Sequence, residues 1–132
     1  MSSILNTALS GLNDAVTRLA NATSNIVNAS STSKLPASPN DPYTGFTPQD
    51  VISLSDGVGG VTSGLQPRNP AFVAVPDATS KNADAQGLVA TPNVDLNSEL
   101  IGSKEAQVSY GANAKLIKVA EEMEKTLLDA VS

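Results

Sequence analysis

The chain has 132 residues, enough for one ordinary domain or for a long helical hairpin with an insertion. Its formal net charge is -5, so it lacks the excess of basic residues that binding to a phosphate backbone requires, and we expect no nucleic-acid partner. Cysteine and histidine are both absent, which excludes disulfides and removes the commonest general base and metal ligand. Aromatic residues make up only 3% of the chain, which predicts a thin core. We therefore expect no catalytic residue, no cofactor and no metal site.

The N-terminal region carries no recognisable targeting segment. The first basic residue is Arg18, so no charged region precedes an apolar run. No apolar run approaches the roughly 18 residues that a membrane span needs, and we expect no direct membrane insertion. These features predict either a cytoplasmic protein or one that is exported without a cleaved signal peptide.

Proline divides the chain into three segments. All eight prolines lie between Pro36 and Pro92, so both flanks lack the residue that most reliably interrupts helices. We predict an N-terminal helix in residues 1–30, an extended segment with short strands in residues 31–92, and a C-terminal helix in residues 93–132.

The N-terminal helix has a sustained seven-residue repeat. Its apolar residues follow alternating steps of three and four, with Thr23 in the one gap, and we call them the leucine stripe: Leu5, Leu9, Leu12, Val16, Leu19 and Ile26. Small residues at positions 8, 15, 22 and 29 run beside this stripe. Only Asp14 and Arg18 are charged before Lys34, although a surface helix normally has a charged face. The pattern therefore predicts a helix that neighbours enclose on several sides.

The C-terminal helix has an apolar face and a charged face. Asn93 or Asp95 can cap its first turn. Gly102 and Gly111 lie inside the helix and indicate either a close backbone approach or local flexibility. The apolar positions are Leu96, Leu100, Tyr110, Ala114, Ile117, Ala120, Met123, Leu127 and Val131.

Strand signals in the middle segment are short. Residues 51–54 and 72–75 are strand candidates, and the glycine-rich residues 56–60 form a turn between strands. The turn resembles a phosphate loop only superficially, because no Lys-Ser pair or helix start follows it. We predict a mainly α fold in which the two long helices pair as a coiled coil, with an irregular segment or one small β-hairpin between them.

Two patterns allow more than one interpretation. The repeat in the first helix fits an intramolecular helix pair, but assembly is favoured because an uncharged helix would leave apolar surface bare in a monomer. The acidic residues Glu121, Glu122 and Glu124 fit a solvated helix face, with weak divalent-cation binding as the alternative.

Three motifs in order resemble those of flagellar rod and hook proteins. Residues 25–30 (NIVNAS) resemble the Asn-rich signature that ends the first helix in this family, with Val27 where the family prefers alanine. Residues 83–94 are similar to the segment before the last helix, and residues 109–113 (SYGAN) to the signature within it. Residues 76–80 depart from the family pattern. The order, spacing and length are most like those of a short proximal-rod subunit.

The resemblance implies a structural, non-enzymatic subunit of the flagellar basal-body rod in the periplasmic space. It would assemble helically with copies of itself and with other rod subunits, and transmit torque from motor to hook. It would leave the cell through the flagellar type III export apparatus, with the free monomer only marginally folded until incorporation. The residues expected in helix and assembly contacts are the leucine stripe with Asn25, Asn28, Tyr110, Asn113, Ile117, Met123 and Leu127.

Two other functions stay open. The nearest is another flagellar axial subunit of the rod or hook, although distal-rod and hook proteins carry large inserted β-domains. A small helical adaptor or export chaperone would also be short and acidic, but it should fold stably alone as a dimer.

Overall fold

The computed structural model describes residues 2–38 and 40–131. Their elements, in chain order, are α1 (Ser2–Asn28), β1 (Gln49–Ser55), β2 (Val61–Pro67), β3 (Phe72–Pro76), β4 (Leu88–Pro92) and α2 (Leu96–Ala130). The strands form two separate antiparallel pairs, β1–β2 and β3–β4. The fold is therefore α+β, and the prediction of a mainly α coiled-coil protein with at most one small hairpin is wrong.

The first hairpin pairs all seven residues of β1 with those of β2, and its turn is closed by an aspartate. Gln49 pairs with Pro67 at one end and Ser55 with Val61 at the other. In the turn, the Asp56 carboxylate accepts hydrogen bonds from the backbone N–H groups of Val58 (2.9 Å) and Gly60 (2.8 Å). These bonds hold the turn closed without an apolar contact, as aspartate does in Asx turns.

The second hairpin lies where the chain leaves α1 and enters α2. Phe72 pairs with Pro92 and Pro76 with Leu88, and a bridge from Ser33 to Ala90 ties the segment after α1 to β4. Val89 and Ala90 are almost completely buried there. The Tyr43 ring stacks on Phe72 with a centroid separation of 4.5 Å, so half of the chain's four aromatics stabilise this small sheet.

The two helices pack against each other through small side chains. The buried apolar residues of the two helices are alanines, namely Ala8, Ala15 and Ala22 of α1 with Ala106 and Ala120 of α2. The leucine stripe is not the buried centre of this contact, since Leu9 and Val16 are each 52% exposed. Within the chain, the alanines let the helix backbones approach closely while the leucines remain at the rim, and the leucine stripe as an assembly contact stays a prediction.

Two contacts define the register of the helix pair. Gly11 lies against Asn113, and Asn25 bonds to Glu99. The two pairs share one antiparallel register, in which each step forward along α1 is one step back along α2. Residue 2, the first described residue of α1, then lies level with residue 122, and residues 123–130 of α2 have no described residue of α1 level with them. These residues span roughly 12 Å at 1.5 Å per residue.

The residue that caps the start of α2 is one of the two that the sequence predicted. Asp95 is the N-cap, and its carboxylate accepts hydrogen bonds from the N–H groups of Asn97 (2.9 Å) and Ser98 (3.2 Å). These bonds lower the pKa of Asp95. Asn93 instead donates its side-chain amide to the Pro70 carbonyl and so belongs to the second hairpin's base.

Candidate assembly interface

A buried polar cluster joins both helices to the first hairpin. Asn25 of α1 is fully buried, and its amide donates to the Gln49 carbonyl (2.9 Å) and to Glu99 Oε1 (3.0 Å). Its Oδ1 accepts a hydrogen bond from the Gln49 N–H at 3.2 Å. One asparagine therefore satisfies polar groups of a strand and of the partner helix, which fixes their relative positions.

Arg68 completes this cluster immediately after β2. Its guanidinium contacts Asp50 Oδ1 (2.5 Å) and Glu99 Oε1 (2.9 Å), and it donates to the Asn93 carbonyl (2.9 Å). Glu99 is only 8% exposed, and these donors satisfy its buried carboxylate oxygen. The hydrogen bond to Asp50 is the largest cause that raises the pKa of Arg68, and the bond to Glu99 raises it further. Together they outweigh the partial burial of Arg68, which lowers its pKa. We call Asn25, Asp50, Arg68 and Glu99 the arginine cluster.

A second polar cluster attaches the hairpin to the middle of α1. Ser53 and Ser63 face each other across the two strands, and both donate to the Asp14 carboxylate, Ser63 at 2.6 Å. Arg18 donates to Asp14 Oδ2 (2.8 Å) and to the Ser53 hydroxyl (2.6 Å). Burial raises the pKa of Asp14, but the bonds from Ser53, Ser63 and Arg18 together lower it below its usual value. We call these four residues the aspartate cluster.

The clusters line a cleft between the helices and the hairpin. Its volume is about 510 Å³, and residues of both clusters form much of its wall. Asp14, with its lowered pKa, is a poor proton donor at neutral pH, and Glu99 accepts bonds from Arg68 and Asn25. The described residues include no group of three or more acidic side chains placed to hold a metal ion. Within the same part of the chain, no helix is long and apolar enough to cross a membrane.

The leucine stripe lies along the rim of the helix contact, on the side of α1 away from the hairpin. Leu5, Leu12, Leu19 and Ile26 are half-buried at the edge of α2, whereas Leu9 and Val16 are exposed. The stripe therefore presents an apolar row that no described residue of the chain covers fully.

Most of the α2 residues that were predicted to lie in assembly contacts are exposed. Ile117 is half-buried, while Tyr110, Met123 and Leu127 are 48%, 55% and 55% exposed. A Cβ added to Gly102 or Gly111 would meet nothing within 4 Å, so neither glycine marks a close backbone approach within the chain. In α1, by contrast, a Cβ added to Gly11 would come within 2.7 Å of the Asn113 side chain, a contact that the sequence did not indicate.

Besides Asn25, two asparagines were predicted to lie in assembly contacts, and both form side-chain hydrogen bonds within their own helices. Asn28 donates to the Ser24 carbonyl and Asn113 to the Ser109 carbonyl, at 2.8 and 2.9 Å. Among the three, Asn25 alone bonds to another element. Sequence reasoning missed Arg68, Asp50, Glu99 and the two serines, because their partners are 18 to 49 residues away. The small uncharged residues of α1 were the signal that another element packs there.

The described residues form a helix pair and two hairpins, with exposed apolar side chains along both helices. Residues 85–130 match the family model described as "Flagellar basal body rod FlgEFG protein C-terminal". The matched segment contains β4, α2 and the SYGAN sequence. The resemblance to flagellar basal body rod proteins is thus confirmed for this C-terminal segment, at the level of the family. A search of curated proteins finds no significant match.

Proposed function

We propose that this protein is a structural subunit of the proximal rod, most similar to the short rod protein FlgC, which assembles helically with other axial subunits and transmits torque from motor to hook. We further propose that it catalyses no reaction. The family is structural and implies assembly with other flagellar axial subunits in the basal body.

One observation supports an assembling subunit most directly. The chain exposes 8680 Å² of surface. A folded monomer of 13.4 kDa is expected to expose about 6,500 Å². The excess coincides with uncovered apolar side chains on both helices, including Leu9 and Val16 of α1 and Leu116 and Met123 of α2. Such extended apolar surface is typical of proteins that bury it against partners.

The same features support a particular route to the rod. A core made largely of alanines contributes little apolar burial, so the free subunit should be marginally stable and easily unfolded. That property suits passage through a narrow type III export channel into the periplasmic space, with an uncut N-terminus. Contacts with neighbouring subunits would then supply the missing burial.

A second candidate is another axial subunit of the rod or hook. The matched family description names the FlgE, FlgF and FlgG group, which favours this alternative over an adaptor or chaperone. The short middle segment of two hairpins favours the proximal position, since no large β-domain is present among residues 40–95.

The test is to locate the protein. A strain that lacks the gene should be non-motile, and its basal bodies should lack a complete rod. Complementation with an epitope-tagged chain should restore swimming and place the tag between the inner membrane ring and the distal rod in electron density. Normal motility of the deletion strain, or a tag found only in the cytoplasm, would contradict the proposal.

A further inference from the structure

Backbone hydrogen bonds at the two ends of the first hairpin show which of its amides point outward. At the turn, the Asp56 N–H donates to the Gly60 carbonyl at 3.1 Å. At the base, the Arg68 N–H donates to the Pro48 carbonyl at 2.8 Å. Bonded and non-bonded residue pairs alternate in an antiparallel pair, so the even-numbered residues of β1 bond to those of β2. The odd-numbered residues therefore direct their N–H and C=O groups to the outer edges.

The outer edge of β1 is covered at one end only. The Asn25 side chain bonds to both the N–H and the carbonyl of Gln49. Beyond Gln49, the outward backbone groups of Val51, Ser53 and Ser55 bond to no residue in the part of the chain that the structure describes. This open stretch offers backbone donors and acceptors along roughly 13 Å.

The second hairpin has the corresponding edge closed. Ala90 of β4 exchanges two backbone bonds with Ser33, both at 2.9 Å. Asp84 accepts from the Leu88 N–H through its carboxylate and donates its own N–H to the Leu88 carbonyl. Ser33 lies in the extended segment after α1, so the chain closes this edge with a segment of its own. That segment is engaged at β4 and leaves β1 open.

The open edge of β1 borders the cleft between the hairpin and the helices. Val51 lines the cleft, whereas none of the described residues of β2 does. On the opposite side, α2 contributes Gly102, Ala106 and Ser109, whose small side chains leave room for a polypeptide backbone. A Cβ added to Gly102 would meet nothing within 4 Å. An added strand lies about 4.8 Å from its neighbour, so it would run along the cleft between β1 and α2.

We propose that an extended segment of a neighbouring rod subunit adds to the edge of β1 as a third strand. Its backbone would exchange hydrogen bonds with Val51, Ser53 and Ser55, the mode by which edge strands bind peptides. Its side chains would alternate, with apolar ones beside the exposed Ile52 and Leu54 and polar ones facing the aspartate cluster. The inference rests on the proposed function for the identity of the neighbour, and it concerns a strand rather than the helices.

Proline substitution tests the edge, because Val51 and Leu65 lie opposite each other in one non-bonded pair. Proline at either position removes one outward N–H and no bond within the hairpin, and edge strands tolerate proline at such positions. We expect Val51→Pro to reduce the amount of the chain in purified basal bodies at least tenfold. Leu65→Pro is the matched control and should stay within twofold of the wild-type amount. Val51→Thr retains the N–H and should be incorporated at least fivefold better than Val51→Pro.

Circular dichroism melts of the purified variants show whether both proline variants fold. If Val51→Pro does not fold, cysteine labelling decides, because the natural chain contains no cysteine. Leu54 and Thr62 form one cross-strand pair, and both are exposed. We expect a maleimide to react at least tenfold more slowly with Leu54→Cys in basal bodies than in the free chain. The rate at Thr62→Cys should change less than threefold.

Equal incorporation of two folded proline variants would overturn the added strand while leaving the proposed function standing. An equal change in labelling at positions 54 and 62 would do the same. Absence of the wild-type chain from basal bodies would instead contradict the proposed function, and the added strand with it.

Discussion

Gly11 of α1 lies directly against the side chain of Asn113 in α2. A Cβ placed on Gly11 would come within 2.7 Å of both Asn113 Nδ2 and Oδ1. Asn113 is held in this place by the bond from its amide to the Ser109 carbonyl at 2.9 Å. The helices therefore approach each other closely where an asparagine of the SYGAN sequence covers a glycine.

Gly11→Val should destabilise the chain by about 1–3 kcal/mol, because the added branched side chain must displace Asn113 and separate the helices. Urea unfolding followed by circular dichroism measures the change. Gly111→Val is the matched control, since an added Cβ at Gly111 meets nothing within 4 Å. Adding Asn113→Ala to Gly11→Val should recover part of the loss. Equal effects at Gly11 and Gly111 would show that Asn113 does not restrict the helix approach.

Arg68→Met should leave the buried Glu99 carboxylate without its cationic partner. We expect a loss of about 3 kcal/mol, the low end for breaking a buried ion pair, because the Arg68 side chain is still 23% exposed. The double variant Arg68→Met with Glu99→Leu should be more stable than Arg68→Met alone, since it removes the unpaired charge. Urea midpoints of the two variants provide the comparison. A double variant that is less stable than the single one would mean that Glu99 is satisfied without Arg68.

Asp14 should contribute to a loss of stability in acid. Its pKa is lowered in the folded chain, so the unfolded chain binds its proton more readily. The stabilisation is present above the unfolded pKa of about 3.9 and is lost as the pH falls through the lower folded value. Asp14→Asn should therefore flatten the dependence of the unfolding free energy on pH below about pH 5. Asp95 changes stability in the same direction, so some pH dependence should remain.

Thermal melts of the wild-type chain and of Asp14→Asn at a series of pH values measure how stability depends on pH. Asp129→Asn, at an exposed position near the end of α2, is the control and should leave the wild-type slope unchanged. Parallel curves for the wild-type chain and Asp14→Asn would show that the serine and arginine bonds do not stabilise the ionised carboxylate.

Leu9→Glu should block assembly and leave the free chain nearly unchanged. Leu9 is exposed, so a substitution there should alter stability by no more than about 0.5 kcal/mol. A carboxylate buried against a neighbour, however, would be unpaired and costly. We expect cells with this variant to export the subunit but not to swim. Asn6→Glu, at an exposed position on another side of α1, should keep motility. Normal swimming with Leu9→Glu would show that Leu9 faces solvent in the assembled rod.

The sequence allowed the helices to be predicted better than their contact. The absence of proline outside residues 36–92 and the capping residue Asp95 are local signals, and they suffice for the limits of α1 and α2. The choice between the leucine row and the alanine row is a tertiary matter, because either row can line a helix pair. Within the chain the alanine row lines the contact between the two helices, because the helices approach each other closely where Gly11 meets Asn113.

The polar clusters could not be predicted from the sequence for a different reason. Arg68 meets Glu99 only after two strands and a hairpin have placed it beside α2, and no spacing rule connects residues 31 positions apart. Asp14 and Arg18 were recognised as the only charges of the first helix. Their role as anchors for Ser53 and Ser63 depends on the register of β1 against β2, which side-chain alternation alone does not give.

The way in which the first hairpin is attached has a mechanical consequence. Apolar surfaces can slide over one another with little change in energy, but a hydrogen bond weakens quickly when its angle or length changes. The hairpin is held to the helices at two separated places, by Asp14 to Ser53 and Ser63, and by Arg68 to Glu99. Two directional anchors prevent both rocking and rotation. We therefore expect the hairpin to keep its tilt under shear, so that a twist applied to the helices turns the whole subunit as one stiff piece.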